Sequence, residues 1–381
     1  MRHLTDVCNI QYGYAFDANQ FINQPRSDSV PLVRIRDVVR GFSETYTCEP
    51  YADAYRVQDG DILVGMDGEF NIARWHGGEA ALNQRVCKLL PHSDVDGQFL
   101  LYFMRGALKR IERQTSFVTV KHLSAKRLNQ VVFPEVSLQC QQEMATILDG
   151  VQAGLSNRQR VLVLLDELVK ARFVEMFGDP LLNPRKWEIK RLKDVTTKIG
   201  SGATPTGGQK AYHDEGISLI RSMNIYDNDF AYKDLAHIDA EQAEALSNVV
   251  VQSEDVLFNI TGASVARCAI VPVDVLPARV NQHVAIIRCN IEKLNAIYLN
   301  QFLISQAIKE TLLRMAEAGG ATRQALTRRQ LENIEVVVPP LPLQNQFAAF
   351  VHQVAASKAA VQAQLAGLTT LRAKLMQDFF G

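Results

Sequence analysis

Residues 339–381 of the chain read PPLPLQNQFAAFVHQVAASKAAVQAQLAGLTTLRAKLMQDFFG, and residues 136–178 read VSLQCQQEMATILDGVQAGLSNRQRVLVLLDELVKARFVEMFG. In both stretches apolar residues recur at alternating steps of four and three. This spacing predicts one long helix per stretch with a coiled-coil seam, which is narrower than the apolar face of a globular helix. The seam positions are Met144, Leu148, Val151, Leu155, Arg158, Leu162, Leu165, Val169, Arg172 and Met176, then Phe347, Val351, Val354, Lys358, Val361, Leu365, Leu368, Arg372, Leu375 and Phe379.

Each predicted helix has roughly 35–40 residues and would be about 50–60 Å long. Two such helices with matching stripes can pair within one chain, and we expect them to be antiparallel because the intervening residues must return the chain. The alternative is that each helix docks on another subunit. The four basic interruptions of the seam are tolerated if their stems pack and their charged ends reach solvent.

The two stretches belong to a longer internal repeat. The offset of 203 positions holds without a gap from Gln98, which matches Gln301, to Gly381. Upstream the offset drifts, so that Val57–Leu63 matches Val251–Leu257 and Asn83-Gln84 matches Asn281-Gln282. A repeat of this kind predicts two related domains. We place them at residues 1–134 and 179–336, with a central spacer helix at 135–178 and a C-terminal spacer helix at 337–381.

The front part of each half mixes short strands and helices, which predicts an α/β (α+β) fold class. With the two antiparallel helices, the expected molecule is a pseudo-twofold pair of globular domains separated by a coiled coil. The predicted strands are Pro31–Val39, Asp61–Gly65, Arg85–Leu90, Val195–Ile199, Asp255–Ile260, Val284–Arg288 and Ile334–Val338, and the predicted helices are Gln98–Arg113, Leu294–Met315 and Thr327–Leu331.

The composition is that of a soluble protein. Of 381 residues, 47% are hydrophobic and 22% are charged, and the formal net charge is zero. The apolar runs are far shorter than the roughly 20 residues that span a bilayer, so we expect no membrane segment. The six cysteines show no zinc-like spacing, and the first residues contain no apolar leader. We therefore expect reduced thiols and a cytoplasmic protein.

Sequence motifs for catalysis are missing. The chain has no phosphate-binding loop ending in Gly-Lys-Ser/Thr, no methyl-donor loop after a strand and no Asn-Pro-Pro-Tyr/Phe, and its eight histidines form no His-x-x-x-His pair. This absence disfavours a freestanding enzyme and a metal centre. A basic run from Arg105 to Arg127 contains only one acidic residue, Glu112. The run predicts a DNA contact, and its alternative is a solvated helix face.

The repeated tail of each half resembles that of the specificity subunits of type I restriction-modification enzymes. In the second half it comprises the turn Gly319–Leu326, the short helix Thr327–Leu331, a strand, and then Pro339-Pro-Leu-Pro-Leu-Gln344 opening a long helix that ends in Phe-Gly. The first half has the same order with Phe133-Pro134 and no double proline. Ser201-Gly-Ala-Thr-Pro205 also resembles the entry loop of that family, whereas Tyr12–Phe16 departs from it.

The resemblance implies a non-catalytic subunit that reads a bipartite, asymmetric site on double-stranded DNA with two target-recognition domains. It also implies two methyltransferase subunits on the helices and two restriction subunits bound through them. S-adenosylmethionine, ATP and Mg would then be held by the partners, and no cofactor by this subunit. An adaptor that binds only protein is a weaker alternative because it does not explain the large variable domains.

We predict DNA contacts on the basic segment before each long helix and at strand ends. Arginine pairs bidentately with guanine, glutamine or asparagine with adenine, and lysine mostly contacts phosphate. The candidates are Arg34, Arg36, Lys121, His122, Lys126, Arg127, Arg221, Asn224, Thr322, Arg323, Gln324, Arg328 and Arg329.

Overall fold

The structure is a computed structural model that describes residues 2–114, 122–204, 208, 212–318 and 324–381. It divides into two compact units, the first formed by residues 1–158 with 364–381 and the second by residues 159–363. Candidates Lys121, Thr322 and Arg323 lie outside the described residues.

The first unit contains two four-stranded sheets beside a long helix, α2. One sheet is antiparallel with the order β2-β9-β6-β7, the other has the order β4-β3-β8-β5 with β3 and β8 parallel, and β1 pairs with β10. The elements are β1 Arg2–His3, β2 Cys8–Tyr12, β3 Val30–Val33, α1 Ile35–Arg40, β4 Tyr46–Thr47, β5 Arg56–Val57, β6 Ile62–Gly65, β7 Ile72–Arg74, β8 Ala80–Leu82, β9 Val86–Pro91, α2 Gly97–Gln114, α3 Ala125–Asn129, β10 Val132–Phe133 and α4 Leu138–Phe177.

The second unit repeats this plan. Its antiparallel sheet has the order β12-β20-β17-β18, its second sheet has the order β16-β13-β19 with β13 and β19 parallel, and β11 pairs with β21. The elements are β11 Glu188–Arg191, β12 Thr196–Ser201, β13 Ile217–Ile220, β14 Ile225–Tyr226, β15 Asp229–Phe230, β16 Ala236–Ile238, α5 Ala240–Ala245, β17 Val256–Asn259, β18 Cys268–Ile270, β19 Ala278–Val280, β20 Val284–Cys289, α6 Ala296–Ile304, α7 Gln306–Glu317, α8 Arg328–Glu332, β21 Glu335–Val338 and α9 Leu341–Phe380.

The predicted fold class is confirmed. The chain is a mixed α/β protein in which the same plan occurs twice, and it carries two long helices of 40 residues each. The helices pair antiparallel in both units. In the first, Arg158 of α4 donates to Gln364 of α9 at 3.0 Å, and in the second, Lys358 of α9 pairs with Asp166 of α4 at 2.6 Å.

The seam also agrees with the sequence pattern. All predicted seam positions are buried or half-buried except Arg372, which is exposed and donates to Gln152 on α4 at 3.2 Å. The guanidinium of Arg172 lies 5.7 Å from the ring centre of Phe350. The basic interruptions are therefore accommodated by polar or aromatic neighbours on the partner helix.

Each long helix ends in a phenylalanine that packs against a globular core. Phe177 of α4 lies 4.8 Å from the ring of Tyr298 in the second unit. Phe380 of α9 lies 5.2 Å from the ring of Phe99 in the first unit. Gly178 then ends α4 in the left-handed conformation, with φ of 80°. The Phe-Gly pair that closes each sequence repeat thus attaches a helix end to a core.

Two predicted elements need correction. The strand Pro31–Val39 ends at Val33, because the backbone N–H of Arg34 donates to the buried Asp37 carboxylate at 3.0 Å and begins helix α1. The helix Leu294–Met315 is two helices, because Ser305 adopts an extended backbone with ψ of 138° between α6 and α7. The first break depends on a local hydrogen bond to a side chain and the second on the backbone conformation of one residue, and apolar periodicity reports neither.

Candidate nucleic-acid interface

In the first unit, several strand ends meet at one edge of the sheets. The parallel strands β3 and β8 end there and lead to Arg34 and to Asn83-Gln84 respectively. The N–H of Tyr14, which follows β2, donates to Leu82 O at 2.9 Å, and the N–H of Gln84 donates back to Tyr14 O at 2.8 Å. Loops at converging strand ends are suitable places for recognition side chains because the sheets hold them in position.

Polar side chains form a network on this edge. Asp67, which follows β6, pairs with Arg85 at 3.3 Å and with Nδ1 of His122 at 2.5 Å. The side chains of Arg85 and His122 are each about half exposed. The predicted DNA-contacting residue His122 therefore lies on this surface. We call Tyr14, Asp67, Gln84, Arg85 and His122 the first edge.

The second unit builds the same edge with different side chains. Thr261 follows β17 as Asp67 follows β6, and its Oγ1 lies 2.6 Å from Nδ1 of His283. Nε2 of Gln282 lies 3.2 Å from Nε2 of His283, and Thr204 donates to the oxygen of Gln282. The N–H of Gly262 donates to Gln324 O at 2.9 Å, which holds predicted residue Gln324 beside this network. We call Thr204, Thr261, Gln282, His283 and Gln324 the second edge.

The two edges share equivalent backbone hydrogen bonds between a loop and the end of a central strand, which we call the edge frame. The N–H of Leu123 donates to Met66 O at 2.7 Å, and the N–H of Leu326 donates to Ile260 O at 2.8 Å. These are the same residues in the repeat, so in both units the segment before the short helix α3 or α8 is fixed to the end of a central strand. The repeat therefore conserves a frame and varies the side chains that it presents.

A glycine is required in both frames where the chain leaves β2 or β12. A Cβ on Gly13 would lie 2.0 Å from Asn83 O, and a Cβ on Gly202 would lie 1.7 Å from Val280 O. No side chain can occupy either position without moving backbone. The two entry loops, which differ in the sequence around these glycines, thus share one steric requirement.

The arginines after β3 and β13 occupy equivalent places. The N–H of Arg34 is bound by Asp37, and the N–H of Arg221 is bound by Asn224 at 3.1 Å. Arg34 is exposed, whereas the guanidinium of Arg221 lies 5.2 Å from the ring centre of Tyr212 and donates to the backbone oxygen of Asp234. Each arginine directly follows a strand that is paired in parallel, Arg34 after β3 and Arg221 after β13.

Two other candidates have clear local partners. Arg36 lies inside α1, where Nη2 donates to Thr45 at 3.2 Å. Asn224 is completely buried, and its side-chain nitrogen donates to the backbone oxygens of Ala231 and Lys233. This arrangement gives Asn224 a structural role, equivalent to that of Asp37 in the first unit.

The remaining basic candidates lie on the short helices. Lys126 and Arg127 on α3 and Arg328 and Arg329 on α8 are exposed. Arg328 pairs with Glu332 on the next turn at 2.8 Å. The helices begin at Ser124 and Thr327, whose hydroxyls accept from backbone N–H groups. Each short helix thus presents cations close in sequence to its edge.

Several of the edge residues are not among the DNA-contacting residues predicted from the sequence. Gln84 and Gln282 are the second members of the repeated Asn-Gln pair, and Arg85 and His283 follow that pair. Asp67 and Thr261 follow the central strands. The repeated Asn-Gln was a usable signal, because a polar pair retained in both halves at a strand end indicates a common role. The pairing of Asp67 and Thr261 with residues distant in sequence has no such signal.

The edge side chains carry hydrogen-bond donors and acceptors of the kinds that read DNA base edges. Glutamine amides match adenine, arginine matches guanine, and histidine and threonine supply single donors or acceptors.

Among the described residues, no group of three or more His, Cys, Asp and Glu side chains could hold a metal ion. Burial raises the pKa of Cys8 and Cys87 to about 12, so these thiols stay protonated. In the described part of the chain no helix is long and apolar enough to cross a membrane.

Comparison with known proteins gives consistent matches over most of the chain. The sequence profile of the type I restriction modification DNA specificity domain matches residues 1–163 and 184–368. The EcoBI specificity subunit of Escherichia coli is 28% identical over 389 residues, covering 95% of this chain and 80% of that subunit.

Two solved structures share the fold. The S subunit of a type I restriction-modification system from M. genitalium has a TM-score of 0.59 at 13% identity, covering all of this chain and 95% of that one. A chain from a study of complex assembly and conformational transition of the type I system has a TM-score of 0.59 at 18% identity, covering all of this chain and 96% of that one.

Proposed function

The chain belongs to the family of type I restriction-modification DNA specificity domains, and from that premise we propose that it reads a bipartite, asymmetric site on double-stranded DNA, one half-site with each edge. As a specificity subunit it recognises a DNA sequence, assembles with other subunits of the complex and is itself non-catalytic. The proposal assigns the first half-site to a target-recognition domain at residues 1–134 and the second to one at residues 179–336.

The observation that carries the proposal is the repeated frame with different side chains. Arg85 in the first edge is replaced by His283 in the second, and Asp67 is replaced by Thr261. Different donor and acceptor patterns read different base edges in the major groove. An equal frame with unequal side chains is therefore suited to two half-sites of different sequence.

Base contacts need phosphate contacts that fix the protein on the duplex. We assign these to the exposed cations of α3 and α8, with Lys126, Arg127, Arg328 and Arg329 as donors. Arg34, Arg36 and Arg221 flank the edges and remain candidates for base or phosphate contacts. From the sequence alone, Lys121, Thr322 and Arg323 belong to the same set. We leave out Asn224 because it is buried and bonded to backbone.

The long helices are proposed to bind the partner subunits, two methyltransferase subunits directly and two restriction subunits through them. Exposed apolar side chains on α4 support this assignment, because Val163, Leu164, Leu168 and Val174 are each at least 46% exposed. Apolar side chains in solvent that lie close on one helix indicate a binding surface. S-adenosylmethionine, ATP and Mg are assigned to those partners. The place of action is the cytoplasm, where such a complex meets its DNA.

An exchange of one domain tests the proposal. Residues 181–335 are replaced with the equivalent part of a related specificity subunit, and the assembled methyltransferase is assayed by sequencing methylated DNA. We expect one half of the methylated site to change and the other to stay the same. Changes in both halves, or in neither, would contradict the assignment of one half-site to each domain.

A further inference from the structure

The second unit has a groove beside its edge, and Arg328 of α8 is one of its lining residues. The groove has a volume of about 640 Å³ and follows β12, which is the outer strand of its sheet. Its charged lining residues are Lys193, Lys198, Arg328 and Glu332, and Ser201 and Asn248 add polar atoms. Three cations thus lie against one carboxylate.

The cations have free capacity for an anion. Nζ of Lys198 donates to Asn248 O at 2.7 Å and has two further hydrogens to donate. Lys193 is exposed. Partial burial and the nearby Arg288 lower the pKa of Lys198 from its usual value, so an anion placed here would relieve an unfavourable environment. Arg328 keeps donors beyond the one that pairs with Glu332.

The first unit has no such lining at the equivalent positions. Thr5 occupies the place of Lys193 in the short turn after the first strand of the unit, and Ala125 begins α3 where Arg328 begins α8. Asn9 pairs with Leu90 across β2 and β9, as Lys198 pairs with Arg288 across β12 and β20. Every cation of the groove therefore has an uncharged counterpart.

In the first unit a tyrosine side chain fills the space that corresponds to the groove. Tyr12 stands at the position of Ser201, immediately before the required glycine, and its hydroxyl donates to Asn129 on α3 at 3.3 Å. Asn129 in turn is the counterpart of Glu332. A tyrosine therefore bridges β2 and α3, whereas the small Ser201 leaves the corresponding gap between β12 and α8 open.

We propose that this groove binds the phosphodiester backbone of DNA beside the second half-site, a contact that the first unit lacks. The inference rests on the proposed function. Strand β12 leads from the groove through Gly202 to Thr204 of the second edge. Three extended residues span roughly 10 Å, which is about three base-pair rises along B-DNA. The groove is thus at a suitable distance for phosphates flanking the bases that the edge reads.

The test compares the full chain, assembled with its methyltransferase subunits, with the double variant Lys193→Gln/Lys198→Gln. Each lost phosphate contact reduces the slope of log affinity against log salt by about 0.9, so we expect a slope smaller by about 1.8. The methylated sequence should stay the same. The control Lys186→Gln/Lys374→Gln removes two exposed charges outside the predicted DNA-contacting residues and should leave the slope unchanged.

A second variant addresses the space without removing charge. Ser201→Tyr should fill the groove as Tyr12 does and weaken DNA binding with the methylated sequence retained. Unchanged affinity and salt slope in both groove variants would overturn the proposal, and so would an equal slope change in the control. Loss of methyltransferase assembly would instead identify the groove as a protein contact and would also overturn it. The two proposals fail in different experiments. A wrong assignment of half-sites would appear in the domain exchange as an unexpected methylated sequence. A wrong assignment of the groove would appear as unchanged affinity and salt slope in the groove variants.

Discussion

The side-chain oxygen of Gln344 in α9 accepts a hydrogen bond from the backbone N–H of Asn295 at 2.8 Å. Gln141 in α4 accepts in the same way from Asp96 at 2.9 Å. Both glutamines are buried in the first turn of a long helix, and their nitrogens donate to backbone oxygens of the adjoining loops. One residue type in each repeat thus joins the long helix to the loop before α2 or α6.

Loss of this joint should destabilise the second unit. Gln344→Ala leaves the N–H of Asn295 and the oxygen of Pro339 buried without partners, and each such group costs about 1–3 kcal/mol. We expect the free energy of unfolding to fall by about 2–4 kcal/mol in denaturant titration. The control Gln346→Ala changes an exposed neighbour in the same turn and should stay close to the parent. Equal losses of unfolding free energy in the two variants would show that the hydrogen bonds of Gln344 contribute no more to stability than an exposed side chain does.

The edge glycines should tolerate no side chain. Gly202→Ala places a Cβ 1.7 Å from Val280 O, whereas a Cβ on Gly200 meets nothing within 4 Å. We expect Gly202→Ala to lower stability by about 1–3 kcal/mol or more through backbone displacement and to weaken specific DNA binding. Gly200→Ala should be nearly neutral for folding. Thermal unfolding and competition binding measure both effects, and a neutral Gly202→Ala would contradict the steric requirement.

The edge glutamines should control different halves of the DNA site. Loss of one adenine contact costs about 1–3 kcal/mol, which is about thirtyfold in affinity at the middle of that range. Gln84→Ala should relax sequence preference within one half-site, and Gln282→Ala within the other. Methylation of a library of site variants measures this directly. If both substitutions relaxed the same half, the assignment of edges to half-sites would be wrong.

The register of the long helices should matter for recognition. Four alanines inserted after Leu155 lengthen α4 by about 6 Å and rotate the following residues by about 40°. Contacts such as that of Arg158 with Gln364 would lose their register. We expect a longer gap between half-sites or loss of specific binding. Methylation of the original sequence with its original gap, by a folded and assembled variant, would show that these helices do not set the spacing.

Periodicity predicted the long helices because ten seam positions recur along each 40-residue helix. It failed at Val33, where a hydrogen bond from the Arg34 N–H to the Asp37 carboxylate begins helix α1. It also failed at Ser305, where the extended backbone of one residue divides a helix. For the interface, the exposed basic residues on α3 and α8 could be selected from charge. The structural role of Asn224 could not be inferred from residue type, since it follows from a buried loop in which its amide donates to the backbone oxygens of Ala231 and Lys233.

For most residues of the two edges, residue type alone did not indicate a place in the interface. Thr261 and His283 are ordinary residues in the sequence, and their relationship arises because β17 and β20 are neighbouring strands. The fold brings them within 2.6 Å, whereas the sequence separates them by 22 positions. Sequence reasoning reaches such a pair only when the sheet order is known.

The packing of Phe380 against Phe99 has a consequence for synthesis on the ribosome. The second unit is continuous in sequence, but the first unit includes residues 364–381, which are translated after all of residues 159–363. At about 5–20 residues per second, roughly 10–40 s separate the two parts of the first unit. The core of the first unit therefore cannot be completed until Phe380 has been translated. The second unit can complete its core from one continuous stretch of the nascent chain.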